Sequence, residues 1–259
     1  MIPKKIHYFW FGGAPKGALE QKCIASWRKF CPDYEIVEWN ESNYDVTKNA
    51  YMREAYQEKR WGFVSDYARL DAIFEHGGIY LDTDVELLRP LDELLALRGF
   101  IVFERTPGEA RTKPFVNTGQ GFGAEPGNQA VKAMRDIYRD MRFTGENAAG
   151  IDVTCPHYNT AALVDLGLRQ VDEKQLVADM TVFPTDYFCP VDWKTQKCTI
   201  TPNTYSIHHF NASWLSPEEK KRRRMQRRLD YIRHAPNMAA KAVLGADRYN
   251  ALKEKLKGK

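Results

Sequence analysis

The stretch SDYARLDAIFEHGGIYLDTDVE, Ser65 to Glu86, holds the pattern that decides how the rest of the chain is read. It predicts a helix with Ser65 at its N-cap and Gly77 at its stop, then a short buried strand, Ile79-Tyr80-Leu81. Two aspartates spaced i, i+2 follow. Side chains at i and i+2 of an extended segment point the same way, so Asp82 and Asp84 are expected to present their carboxylates to one hard cation. Mg²⁺ or Mn²⁺ held by one or two carboxylates takes its remaining ligands from substrate phosphates and water. A solvated acidic turn is the plainer reading of such a pair taken alone.

Working outward, the elements alternate. Lys5 to Phe11 reads as a strand ending at Gly12-Gly13. Leu19, Cys23, Trp27 and Phe30 recur at helical spacing over about residues 16–30, and Tyr34 to Trp39 reads as a second strand. Strand, helix, strand opens a parallel α/β sheet. Downstream, Tyr51 to Trp61, Asp92 to Leu97 and Asn128 to Met141 read as helices. Phe100 to Phe103 and the Gly-rich segment around Phe122 read as strands, with a polar loop from Arg105 to Lys113 between them. Ser216-Pro217-Glu218-Glu219 is a capping box with proline at the first helical position, and two basic helices are expected beyond it.

Composition bounds the function. Hydrophobic content of 43% and aromatic content of 12% over 259 residues suit one large domain with an appendage. MIPKKIHYFWFGG lacks a long apolar core and a small-residue cleavage site, and no apolar run approaches the roughly 18 residues that cross a bilayer. The expectation is a soluble or peripheral protein. The five cysteines are odd in number and none are spaced C-x-x-C, which predicts buried free thiols in a reducing compartment. The net charge of +4 hides an asymmetry: residues 216–259 carry 14 Lys/Arg against 5 Asp/Glu, leaving a mildly acidic body.

Two further clusters stand out. Asp66 and Arg69 lie i, i+3 and share a helix face, as a surface ion pair or as groups able to bind sugar hydroxyls and a phosphate oxygen. Tyr205 to Trp214 reads YSIHHFNASW; its adjacent histidines point opposite ways on an extended segment, so at most one faces a given metal.

In order and spacing, IPKKIHYFWFGG (Ile2–Gly13), the Ser65–Leu91 stretch and YSIHHFNASW resemble the DXD-containing glycosyltransferases of the Och1-like, capsular-polysaccharide type, a family-32-like group. A more distant likeness is to the glucosyltransferase domain of the large clostridial toxins. VNTGQGFGAEPGN (Val116–Asn128) and VTCPHYNTAAL (Val153–Leu163) match more weakly, and Cys155 stands where glycine is usual. The likeness covers roughly residues 2–215. It implies a GT-A-like fold: a Rossmann-like, mixed, mostly parallel sheet flanked by helices over residues 1–215, with a basic helical extension over 216–259.

The resemblance also implies roles. Trp10 would stack on the base of the donor, Asp66 would accept from donor hydroxyls, and Arg69 would lie against the diphosphate. Tyr80 would line the donor site. Asp82 would contact ribose or metal, Asp84 would ligate the metal, and His208 would be a second ligand, with His209 the alternative. Ser213 and Trp214 would close over the diphosphate, and Asn117 would lie near the reacting sugar. The implied cofactor is Mn²⁺ or Mg²⁺. The implied reaction is retaining transfer of a hexose from a nucleotide-sugar, UDP favoured, to a glycan or lipid-linked acceptor. A silent sugar-nucleotide-binding module of the same fold and a metal-dependent phosphohydrolase are the rival expectations. A cytoplasmic location is expected. The basic tail reads either as a solvated appendage or as an anchor to anionic membrane; no recognition module accompanies the charge to favour nucleic acid.

Overall fold

The computed structural model describes residues 1–104, 113–144, 154–191 and 198–211, with Lys221, Arg222 and Met225 beyond them. The chain divides into two units, Met1–Trp214 and Leu215–Lys259. The sheet, the cores and the candidate site all lie in the first. Nearly all of the second, including the capping box at Ser216, lies outside the described residues, as does the loop read from Arg105 except for Lys113.

The first unit is built on one mixed sheet with the strand order β2-β1-β3-β7-β5-β9-β8. Its strands are β1 (Lys5–Phe9), β2 (Glu35–Trp39), β3 (Gly78–Tyr80), β5 (Gly99–Glu104), β7 (Phe122–Ala124), β8 (Gln175–Val177) and β9 (Met180–Phe183). A two-residue β6 (Phe115–Val116) pairs with β5. β1, β2, β3, β5 and β9 run in one direction, while β7 and β8 run against them. A second, two-stranded antiparallel sheet joins β4 (Val85–Leu87) to β10 (Ser206–His208). The helices are α1 (Ala18–Phe30), α2 (Ala50–Gln57), α3 (Trp61–His76), α4 (Gln129–Asp136) and α5 (Cys155–Asp165). The expected mixed, mostly parallel sheet flanked by helices is therefore what the chain adopts. Among the described residues no helix is long and apolar enough to cross a membrane.

Strand alternation divides the interior into two apolar layers. Phe9, Tyr80, Ile101, Phe103 and Val182 face one way, against α2, α3, α4 and α5. Ile6, Tyr8, Ile79, Leu81, Phe100, Val102 and Phe183 face the other, against α1 and the segment around Leu87–Leu95. On that side, α1 is the clamp for β4. Buried Trp27 donates from Nε1 to the Val85 carbonyl at 2.7 Å, and Ser26 Oγ accepts from the Leu87 amide at 2.9 Å.

Three local expectations change. α3 begins at Trp61, so Ser65 is inside the helix and bonds back to the Gly62 carbonyl at 2.7 Å. The extra turn buries Phe63 and Val64, and that apolar gain outweighs a polar cap at Ser65. α2 consequently stops at Gln57, because Lys59 turns to φ 56° before the next helix starts. Asn128–Met141 splits into the α-helix Gln129–Asp136 and a 3-10 turn, Ile137–Arg139. The stop at Gly77 stands as read: φ is +64°, and a Cβ there would lie 3.0 Å from the Ala124 carbonyl and 2.6 Å from Pro126.

Candidate functional site

The candidate site lies beyond the ends of β1, β3 and β5 and the start of antiparallel β7, where a mostly parallel sheet leaves a crevice at its carboxyl edge. Leaving β3, the chain turns at once: the Val85 amide donates to the Asp82 carbonyl at 3.0 Å. Asp82 and Asp84 therefore sit on a turn between β3 and β4, and the extended geometry expected from their spacing is not what brings them together. The turn does so, with help from β10.

β10 pairs with β4 so that His208 stands opposite Val85. His208 Nε2 reaches Asp84 Oδ1 at 3.1 Å. The Asn211 amide donates to Asp84 Oδ2 at 2.8 Å, and the His209 amide donates to the Asp84 carbonyl at 3.0 Å. Asp84 is thus fixed on both carboxylate oxygens. Burial works to raise its pKa, but the His208 imidazole and the Asn211 amide outweigh that and hold it down to about 2. Burial likewise works against the charged imidazole of His208, yet the carboxylate of Asp84, with Asp82 and Glu104 behind it, raises its pKa. His209 faces elsewhere. Its Nε2 meets Glu86 Oε2 at 2.9 Å, and Lys22 reaches the same oxygen at 2.8 Å. The two neighbours point opposite ways, as a strand requires.

Asp82 is organised from the other flank. Tyr80 donates its hydroxyl to Asp82 Oδ1 at 2.7 Å, and Arg69 Nη1 lies 3.5 Å from the same oxygen. Arg69 is buried, stacked over the Tyr80 ring at 4.9 Å. Its other nitrogens donate to the Ser65 carbonyl at 2.9 Å, Ser65 Oγ at 2.9 Å and Asp66 Oδ1 at 3.0 Å. Burial alone would lower the guanidinium pKa; Asp82, Tyr80 and Asp66 together carry it upward. Burial pushes the Asp66 carboxyl up to about 6, held back by Arg69 and by a hydrogen bond to Cys155. The surface ion pair expected from the i, i+3 spacing is therefore a buried link that reaches Asp82.

Asn117 comes close as well. It donates from Nδ2 to Glu104 Oε2 at 2.7 Å and accepts from the Gly119 amide at 2.7 Å. A Cβ on Gly119 would collide with the Asp82 carboxylate and lie 3.0 Å from Arg69 Nη1, so only glycine lets the backbone approach so near. Trp10 is half-buried. Its Nε1 donates to the Ala14 carbonyl at 2.6 Å, and Lys16 lies over its ring at 5.5 Å. Ser213 and Trp214 lie outside the described residues.

One oxygen from Asp82, one from Asp84 and one nitrogen of His208 lie within 4.8 Å of one another. Two carboxylates and an imidazole could hold a divalent ion, the carboxylates favouring a hard one. Adjacent ligands of an octahedral ion at about 2.1 Å stand about 3 Å apart, and His208 Nε2 and Asp84 Oδ1 are 3.1 Å apart. No cysteine belongs to this group. The sequence reading missed Glu104, Gly119, Gln120 and Asn211 as neighbours of the site. No spacing rule picks them out, because their carriers are brought in by sheet pairing.

Residues 17–100, which include α1, α3 and the Asp82/Asp84 turn, match the family described as glycosyltransferase sugar-binding region containing DXD motif. Among curated proteins, the chain is similar to "Subversion of eukaryotic traffic protein A" of Legionella pneumophila, at 26% identity over 184 residues. That match takes in 57% of this chain and spans 28% of that protein's length. Among solved structures, it is similar to the PaToxG glycosyltransferase, with TM-score 0.47, 18% identity, and 63% of this chain and 69% of that one covered. It is also similar to a glycosyltransferase involved in glycosylation of the major capsid of PBCV-1, with TM-score 0.41, 12% identity, and coverages of 81% and 94%. The segment that builds the Asp82 side of the site thus falls within the stretch similar to the DXD-containing glycosyltransferase sugar-binding region.

Proposed function

We propose that this chain is a metal-dependent, retaining glycosyltransferase that moves a hexose from a nucleotide-sugar, UDP-linked, to a glycan or lipid-linked oligosaccharide. The observation that carries the reading is the convergence of Asp82, Asp84 and His208 on one point within a DXD-type region. Asp82, Asp84 and His208 would hold Mn²⁺ or Mg²⁺. Such an ion supplies charge stabilisation for the diphosphate that departs from the anomeric carbon. Arg69 fixes Asp82 and brings a second positive charge to the leaving group. Tyr80 donates to the same Asp82 oxygen that Arg69 approaches. Asp66 and Asn117 lie where hydroxyls of the sugar are bound, and Trp10 offers its indole face to the base. The sugar passes through an oxocarbenium-like state. No residue in the sequence identifies itself as a covalent nucleophile, and the reading therefore takes attack by the acceptor on the face from which the phosphate leaves.

The site's setting is proposed to be cytoplasmic, on the surface of a membrane to which the basic residues 216–259 are drawn by anionic lipid. Capsule or other surface polysaccharide is the acceptor class proposed. The name of the Legionella relative adds a second, a protein of eukaryotic membrane traffic.

The test is nucleotide release from a panel of UDP- and GDP-hexoses, with Mn²⁺ or with EDTA, for wild type and Asp84→Ala. Release from one donor, abolished by EDTA and in the variant, is the expected outcome. Absence of both turnover and metal-dependent nucleotide binding would overturn the reading in favour of a silent module. Phosphate release without sugar preference would favour a phosphohydrolase. Acceptor assays then compare glycans, lipid-linked oligosaccharides and eukaryotic traffic proteins.

A further inference from the structure

Beside the proposed metal and diphosphate site is a second polar constellation on the segment 117–120, between β6 and β7. Glu104, at the end of β5, takes hydrogen bonds on Oε2 from Asn117 Nδ2 at 2.7 Å and from Gln120 Nε2 at 3.3 Å. The segment is braced on every side. The Asn117 amide donates to the Val102 carbonyl at 3.1 Å, Asn159 Nδ2 on α5 donates to Thr118 Oγ1 at 3.1 Å, and the Asp82 amide donates to the Gly119 carbonyl at 3.1 Å. Just before it, Thr160 Oγ1 accepts from the Val116 amide at 2.9 Å.

Gln120 is fully buried, and its Oε1 has no hydrogen-bond partner. The carboxylate of Glu104 can only accept, so it fixes which end of the amide is nitrogen and leaves the acceptor end directed elsewhere. A buried carbonyl without a donor is costly, which suits a group kept for a ligand or its water.

We propose that Glu104, oriented by Asn117 and Gln120, reads a hydroxyl of the transferred sugar and sets which hexose is accepted. This rests on the transferase reading above. The chemistry selects the ligand. Glu104 stands with Asp82 and Asp84 in an acidic neighbourhood, and Arg69, the nearby buried cation, is already held between Asp66 and Asp82. A neutral hydroxyl finds a charged acceptor in Glu104, and charge-assisted bonds of this kind are about twice as strong as neutral ones. Distance to the reacting centre is short: the Asn117 amide that grips Glu104 is also bonded to Gly119, whose Cα lies against Asp82 and Arg69.

The experiment is a cycle between Glu104→Gln and donors with one sugar hydroxyl removed. The wild-type protein with Mn²⁺ is given the hexose donor that it uses and its 2-, 3-, 4- and 6-deoxy analogues. Turnover is read as kcat/KM, and binding is read by calorimetry as the affinity of each donor relative to UDP. Glu104→Gln is expected to lower kcat/KM for the full donor about ten- to hundredfold. For one deoxy donor the variant and wild type should become equal. Mn²⁺-dependent UDP affinity should stay within about twofold, which also shows that the variant is folded. An equal effect of Glu104→Gln on all donors, or none on any, would overturn the assignment while leaving the transferase reading intact. Loss of Mn²⁺-dependent UDP binding in the wild type would overturn both. If donors bind without turning over, the calorimetric cycle decides alone.

Discussion

At the scale of single residues, His208 and His209 show how neighbours in sequence acquire different chemistry. Each meets a carboxylate, but only His208 shares its carboxylate with the Asp82 cluster. His208→Ala is expected to weaken Mn²⁺ binding at least about tenfold, while His209→Ala changes it by no more than about twofold. Calorimetric titration of metal into each variant checks this, and equal losses would remove the distinction. Asp66 gives a pH signature. Burial pushes its carboxyl up to about 6 in the folded chain, above the ordinary carboxylate value, so its contribution to stability is fully present below about pH 4 and is lost as pH rises through 6. Urea unfolding of metal-free protein should show wild type losing up to about 3 kcal/mol relative to Asp66→Asn between pH 4 and 7. Parallel pH curves for the two proteins would contradict the assignment.

At the scale of elements, the sequence revealed more about which segments are regular than about how they meet. β1, α1, β2 and the Gly77 stop were legible because apolar spacing and a glycine at positive φ are local signals. The start of α3 was not, because Ser65 has the chemistry of a cap while Phe63 and Val64, just before it, gain more by burial. Asp82, Asp84 and the histidine pair were legible as residue types, yet their convergence comes from a tight turn and from β10. Glu104 and Gln120 were invisible because their positions depend on β5, β6 and β7 lining up. Two substitutions separate these levels. Ser65→Ala removes the hydroxyl contact to Arg69 Nη2 while the backbone carbonyl contact stays, and should cost about 1 kcal/mol in chemical unfolding. Gly119→Ala should cut donor turnover at least about tenfold, because the new methyl displaces the Asp82 carboxylate. Unchanged turnover in Gly119→Ala would mean that Asp82 is not held at the distance described.

At the scale of the whole molecule, charge and chemistry are divided between two stretches of chain. The acidic body carries the candidate site, while residues 216–259 carry an excess of nine positive charges. Full-length protein is expected to co-sediment with vesicles of anionic lipid and to be released as salt rises toward 0.5 M, while a chain ending at residue 214 stays in solution. Sedimentation that ignores salt or lipid charge would argue for a solvated appendage instead.

The pairing of β10 with β4 has a consequence in time. His208 and Asp84 are 124 residues apart, and between them lies most of the sheet. A ribosome delivers the acidic turn early and the imidazole late. Contacts of such long sequence separation are slow to close. Until β10 docks on β4, the nascent chain carries the two carboxylates without the imidazole of His208 beside them. Completion of the fold is thereby the event that brings Asp82, Asp84 and His208 together.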